Sequence, residues 1–242
     1  MGFREVRLGA ARVVFTDRHG GVSEPPFDTA NLGLLTDDDP ERVRENRQRV
    51  GDALGGGAAD PERWFRIRQV HGASAVVAQS GPAGPAPDAD AAVTAVAGLP
   101  LAVLTADCAP VALVAGDAVG AVHAGWRGLA AGVLEAAVDA LRRLDDSPVE
   151  AVLGPCIHPD RYPFGEAELD LVAAGLGSGV RARTASGEVA LDLRAGVRAA
   201  LTGVGVTRFT DLDVCTASSA DHFSFRRDGP TGRQAMIVVL EP

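Results

Sequence analysis

The 242-residue chain contains no lysine; all 23 of its basic residues are arginine. No Schiff base can form on such a chain, pyridoxal phosphate has no anchor, and a P-loop is excluded. Cysteine is scarce too. Cys108, Cys156 and Cys215 are odd in number and far apart, which makes no disulfide framework and points to a cytoplasmic setting. No basic cluster stands out, and the net charge of -9 argues against a nucleic-acid partner. No apolar run approaches membrane-spanning length, and Met1 to Val6 lacks the apolar core of a secretory signal, so no membrane partner is expected either.

What is present is enough apolar material for a core, 46% of residues. No repeat or linker divides the chain, so residues 1–242 read as one α/β domain. Its organising stretch runs from Thr105 to Arg127. Apolar runs at Leu101 to Ala106, Val111 to Ala115 and Ala118 to Val122, separated by Asp107-Cys108 and Gly116-Asp117, read as buried strands. Further strands are expected at Val13 to Thr16, Trp64 to His71, Ala91 to Val96, Val149 to Leu153 and Met236 to Leu240. In the Trp64 strand the period of two puts Gln69 and His71 on the inward face of Phe65 and Ile67.

Asp39-Pro40-Glu41 is a helix start, with a cap residue, proline at the first position and an acid in the first turn. The helix runs to about Leu54, and Asn46 and Arg47 fall on its apolar face with Val43 and Val50. A buried arginine needs a partner, either an internal carboxylate or a substrate anion. Another amphipathic helix runs from Gly128 to Leu144, with more at Glu166 to Leu176 and Leu193 to Leu201; Arg226 to Arg233 reads as a turn.

Several side chains carry chemistry. Cys108 follows Asp107 at one strand end, and His123 precedes Gly125-Trp126-Arg127-Gly128 at another. With His71 they make two imidazoles and a thiolate, the three-ligand pattern of a catalytic zinc with an open fourth position. A buried cysteine is more often plain core, so the residues alone leave both readings open. Arg127 beside the helix start near Gly128 suits an oxyanion, or pairs with a surface carboxylate. Cys156 and Cys215 read as structural, and His19, His158 and His222 as loop or rim residues.

The motifs Asn31-Leu32-Gly33, Glu45-Asn46-Arg47, Gln69-Val70-His71-Gly72, Thr105-Ala106-Asp107-Cys108, His123 to Gly128, Gly154 to Ile157, Cys215-Thr216 and Arg226 to Arg233 carry a resemblance. Over nearly its whole length the chain resembles the purine nucleoside phosphorylase family once called polyphenol oxidoreductases or laccase-domain proteins. The resemblance implies an α/β layered sandwich with mixed β-sheets flanked by helices. It also implies zinc on His71, Cys108 and His123, phosphorolysis of adenosine, inosine, guanosine and methylthioadenosine, and adenosine deaminase activity. Candidate catalytic residues are Asp107 for proton transfer or ligand orientation, Arg47 and Arg127 for phosphate, and Gln69. Where family members read Gly-Pro-Cys-Ile-Gly and Tyr-Glu-Val-Gly, this chain has His158 and Tyr162-Pro163-Phe164-Gly165, and His222 replaces a common aromatic; these departures bear on the pocket rim.

Three alternatives belong to other classes. One is a Cys-His hydrolase with Cys108 as nucleophile activated by His123. Another is a copper-dependent polyphenol oxidoreductase, although five histidines are few for a multicopper cluster. The third is a non-catalytic protein with a structural metal, whose fourth ligand would be Cys156 or Cys215.

Overall fold

The computed structural model describes residues 2–241. Among the described residues, thirteen strands form two large mixed sheets and a hairpin. The first large sheet runs β1 (Phe3–Leu8), β2 (Ala11–Thr16), β13 (Gln234–Leu240), β6 (Leu101–Thr105) and β3 (Phe65–Arg66). The second runs β12 (Arg208–Asp211), β9 (Glu150–Leu153), β7 (Ala109–Ala115), β8 (Ala118–Ala124), β5 (Ala91–Thr94) and β4 (Ala75–Val77). The hairpin is β10 (Arg181–Arg183) with β11 (Val189–Leu191). Among the described strands, β3–β6, β9–β12 and β4–β5 pair parallel and the other ladders are antiparallel.

The large sheets pack face to face. Phe15, Leu101, Val103, Met236 and Val238 of the first meet Ala112, Val114, Val119, Ala121 and Val152 of the second. The alternate residues of β7, Val111 and Leu113, point the other way, under the helices. Strands buried on both faces read as unbroken apolar runs, and β7 is buried at every residue. The outer face of the second sheet is covered by α2 (Trp126–Ala130), α3 (Val133–Arg142), α4 (Glu166–Leu176) and α5 (Leu193–Gly203). The outer face of the first is covered by α1 (Pro40–Leu54), through Val50 and Leu54 against Val14, Ala102 and Ile237. The result is an α/β/β/α sandwich; α6 (Phe225–Asp228) is a single turn near the site.

The helix expected from Gly128 to Leu144 is two helices. It starts earlier, at Trp126, and breaks at Gly132, whose φ of 89° is left-handed. The strand expected from Trp64 to His71 is ladder-paired only at Phe65–Arg66; Arg68 then makes an isolated bridge to Asp88. His71 is consequently exposed rather than inward, and its φ is 59°. Both ends of α1 are as expected: Asp39 caps it by accepting from Glu41 N, with Pro40 in the first turn.

Candidate metal centre

The site forms where the chain passes from one sheet to the other. Strand β6 ends at Thr105 in the first sheet and β7 begins at Ala109 in the second, so Asp107 and Cys108 make the crossing. Asp107 takes the strained φ of 99°. Its carboxylate accepts from Thr216 Oγ1 at 2.6 Å and from Arg226 N at 2.7 Å, which anchors the turn. Both oxygens are thereby engaged, so the geometry favours orientation of Cys108 over proton shuttling.

The β7–β8 register pairs Ala109 with Ala124 and Pro110 with His123, which brings His123 beside Cys108. His71 reaches them from the segment after β3. Its Nε2 lies 3.8 Å from Cys108 Sγ, and its ring centroid lies 4.9 Å from that of His123 at 79°. One donor atom from each of the three residues falls within 4.8 Å of the others. Gly125 leaves room for them, because a Cβ there would sit 2.7 Å from His71 Cδ2 and 3.2 Å from Cys108 Sγ.

Behind the ligands lies a residue that sequence reasoning missed. Asp90 is fully buried. It accepts from His123 Nδ1 at 2.8 Å, His71 N at 3.0 Å, Gly72 N at 2.6 Å and Val70 N at 3.2 Å. A carboxylate on Nδ1 fixes the tautomer that presents a lone pair at Nε2, the usual support of a metal-ligating histidine. The one available signal was an acid at the head of the apolar run Ala91 to Val96.

The electrostatics favour a ligand set. Burial alone would raise the Cys108 thiol, but the charge of His123 and hydrogen bonds from both imidazoles outweigh it and bring the thiol down to about 6. Burial would lower His123; the Cys108 charge and the Asp90 hydrogen bond instead raise it to about 9. Without a cation the pair is therefore thiolate and imidazolium near neutral pH. An ion of borderline softness matches the N₂S donor set and displaces the imidazolium proton.

The other candidate residues have partners of their own. Arg47 is buried, and Nε and Nη2 both donate to Leu32 O, at 2.9 and 2.7 Å. Among the described residues it forms no ion pair with a carboxylate, which removes the internal salt-bridge reading. Burial and the neighbouring Arg66 lower its pKa to about 10. Leu32 N in turn donates to Arg233 O, and Arg233 lies within the field of Cys108 and Asp107, whose charges oppose the lowering that burial imposes on it. Arg127 is exposed and stacks on Trp126 at 4.3 Å. Trp126, Phe164 and Tyr162 form an edge-to-face series with both centroid spacings 5.3 Å, and Arg226 lies over Tyr162. Burial and the Cys108 charge push the Tyr162 phenol up. Gln69 does not face the ligands freely: its amide donates to Leu104 O at 2.7 Å and accepts from Leu104 N at 2.8 Å, clamping the His71 segment to β6.

The remaining cysteines lie apart from the three ligands: Cys156 and Cys215 face each other across an isolated parallel bridge. Neither belongs to the His71 group. His19 pairs with Asp221 and His222 with Ser219, each at 2.9 Å. Among the described residues no helix is long and apolar enough to cross a membrane.

Fold and site together define a four-layer α/β protein with a His₂Cys group at a sheet crossing that could hold a metal ion. A family described as multi-copper polyphenol oxidoreductase laccase matches residues 12–241, and the chain belongs to that family. A Streptomyces coelicolor protein named purine nucleoside phosphorylase is 45% identical over 241 residues, covering 97% of each chain. One of the same name from Pseudomonas aeruginosa is 39% identical, covering 95% of this chain and 93% of its own. Among solved structures, YlmD of Geobacillus stearothermophilus superposes with a TM-score of 0.89 at 32% identity, over 97% of this chain and 93% of its own. A Neisseria meningitidis protein does so at 0.87 and 33%, over 99% of both.

Proposed function

We propose that this chain is a cytoplasmic, zinc-dependent purine nucleoside phosphorylase that also deaminates adenosine. The supporting observation is the three-donor group of His71, Cys108 and His123, oriented by Asp90, in a chain similar throughout to proteins named purine nucleoside phosphorylase. Zinc held there supplies Lewis-acid charge beside the substrate.

The chain's own residues do the rest. Arg47, a buried cation without a carboxylate, holds phosphate, with Arg127 as the exposed second cation. The series Trp126, Phe164 and Tyr162 offers aromatic edges and faces to a purine. Asp107 is a positioning residue that sets the Cys108 turn. Gln69 positions His71 through its clamp on Leu104. In phosphorolysis a phosphate oxygen bonds to the ribose C1′ as the bond from C1′ to the purine nitrogen breaks; the purine leaves with the electron pair and takes up a proton. In deamination, water adds at C6 and ammonia leaves.

Copper oxidation of phenols is the weaker reading. Reduction of dioxygen by a multicopper cluster needs more imidazoles than this site has, since His19 and His222 are paired elsewhere and His158 belongs to a separate group. Cys108→Ala and His123→Ala test the proposal: each should lose the zinc held at this centre and phosphorolysis together while the fold is kept. Full activity in metal-free protein, with rapid alkylation of Cys108, would establish the Cys-His nucleophile instead.

A further inference from the structure

A second group of metal-capable side chains lies outside this centre. One ring nitrogen of His158, a carboxylate oxygen of Asp160 and Sγ of Cys215 lie within 4.8 Å of one another. The backbone brings them together. His158 caps the 3-10 turn Pro159–Arg161, and Cys215 is held beside Cys156 by the parallel bridge that follows β9. His158 N donates to Cys215 Sγ at 3.4 Å, a contact of the kind that steadies a thiolate.

The polar atoms of this group are poorly satisfied. Among the described residues, His158 Nε2 is buried and has no hydrogen-bond partner. The other nitrogen, Nδ1, meets only Arg194 Nη1, at 3.4 Å. Arg194 does not depend on that contact, because it pairs with Asp211 at 2.7 Å and with Asp213 at 2.8 Å. Asp160 has a single loose ion pair, to Arg161 at 3.7 Å, with both side chains at least half exposed. A buried ring nitrogen without a partner needs explanation in a native structure. An imidazole, a thiol and a carboxylate on adjacent turns supply one.

We propose that His158, Asp160 and Cys215 bind a zinc ion at a second site, with a fourth position open to solvent. The mixed N, S and O donors suit zinc, whereas magnesium and calcium demand oxygen alone. Binding joins two segments that border the first centre. The 158–164 segment carries Tyr162 and Phe164 of the aromatic series. The 215–216 segment carries Thr216, which anchors Asp107. The second ion is thus a clasp across the wall of the site, independent of whatever reaction the first centre performs.

The test uses the full chain with Cys108→Ala, which removes the only thiolate of the first centre. Titrated with cobalt(II) as a zinc probe, this protein should show one thiolate-to-cobalt charge-transfer band, displaced by one equivalent of zinc. Adding His158→Gln or Cys215→Ser should abolish the band. His158→Gln keeps the bulk of the side chain and leaves the Cys156–Cys215 pairing intact, so it carries the test if Cys215→Ser misfolds. Absence of the band in Cys108→Ala protein, or its survival in the His158→Gln double variant, overturns the proposal.

Discussion

Replacing Asp90 by asparagine isolates the support behind the proposed metal ligands. The side chain keeps its shape but exchanges one acceptor oxygen for an NH₂ group. Four donors converge on the native carboxylate, two on each oxygen: His123 Nδ1 and His71 N on Oδ1, Gly72 N and Val70 N on Oδ2. Either orientation of the amide leaves two of them facing a donor, in a fully buried position. Each lost partner costs about 1–3 kcal/mol. For a protein of this size about 1 kcal/mol lowers Tm by roughly 2–4 °C. Zinc affinity should fall more tellingly. Loss of a group that orients a ligating histidine typically costs about 10–100-fold, or about 1.4–2.8 kcal/mol. Competition for zinc against a chromogenic chelator, in His158→Gln protein with and without Asp90→Asn, reads that ratio at the first centre alone. A destabilised variant with unchanged zinc affinity would refute the argument and make Asp90 a loop anchor only.

Two further outcomes follow from the electrostatics. In metal-free protein, iodoacetamide should modify Cys108 with a midpoint near pH 6: the thiol is lowered, so the reactive thiolate is present above that pH and lost below it. Mass mapping should find Cys156 unmodified, because burial pushes its thiol up; a Cys108 midpoint near the ordinary value of about 8.5 would contradict the thiolate–imidazolium pair. Arg47→Ala should raise the KM for phosphate by about tenfold or more, the worth of one charge-assisted contact, and change Tm little, since it removes a buried charge that pairs with no carboxylate among the described residues. A large fall in Tm with unchanged phosphate dependence would make Arg47 structural.

Much of the fold was legible because the central strands are buried on both faces. β7 and β8 are apolar throughout, and Gly116-Asp117 marks their turn. Edge strand β1, Phe-Arg-Glu-Val-Arg-Leu, is mostly exposed and half charged, so its sequence carries no such signal. The hairpin β10–β11 is too short to show a period. The apolar pattern from Leu129 onward continues through Gly132 and so hides the left-handed glycine at which the helix breaks. The three candidate metal ligands were named by residue type and resemblance together; spacing alone could not join positions 71, 108 and 123. Asp90 escaped notice for the same reason, since its partners are 18 to 33 residues away. The period of two misplaced His71 because the strand was extended past Arg66, where the ladder stops.

Product analysis tests the central proposal most directly. Zinc-loaded protein is incubated with adenosine, with and without inorganic phosphate, and the mixture is resolved by chromatography. The account predicts phosphate-dependent adenine and ribose 1-phosphate in equal amounts, with inosine formed by deamination. Neither product with phosphate present, beside brisk copper-dependent oxidation of a phenol by the same preparation, would contradict it.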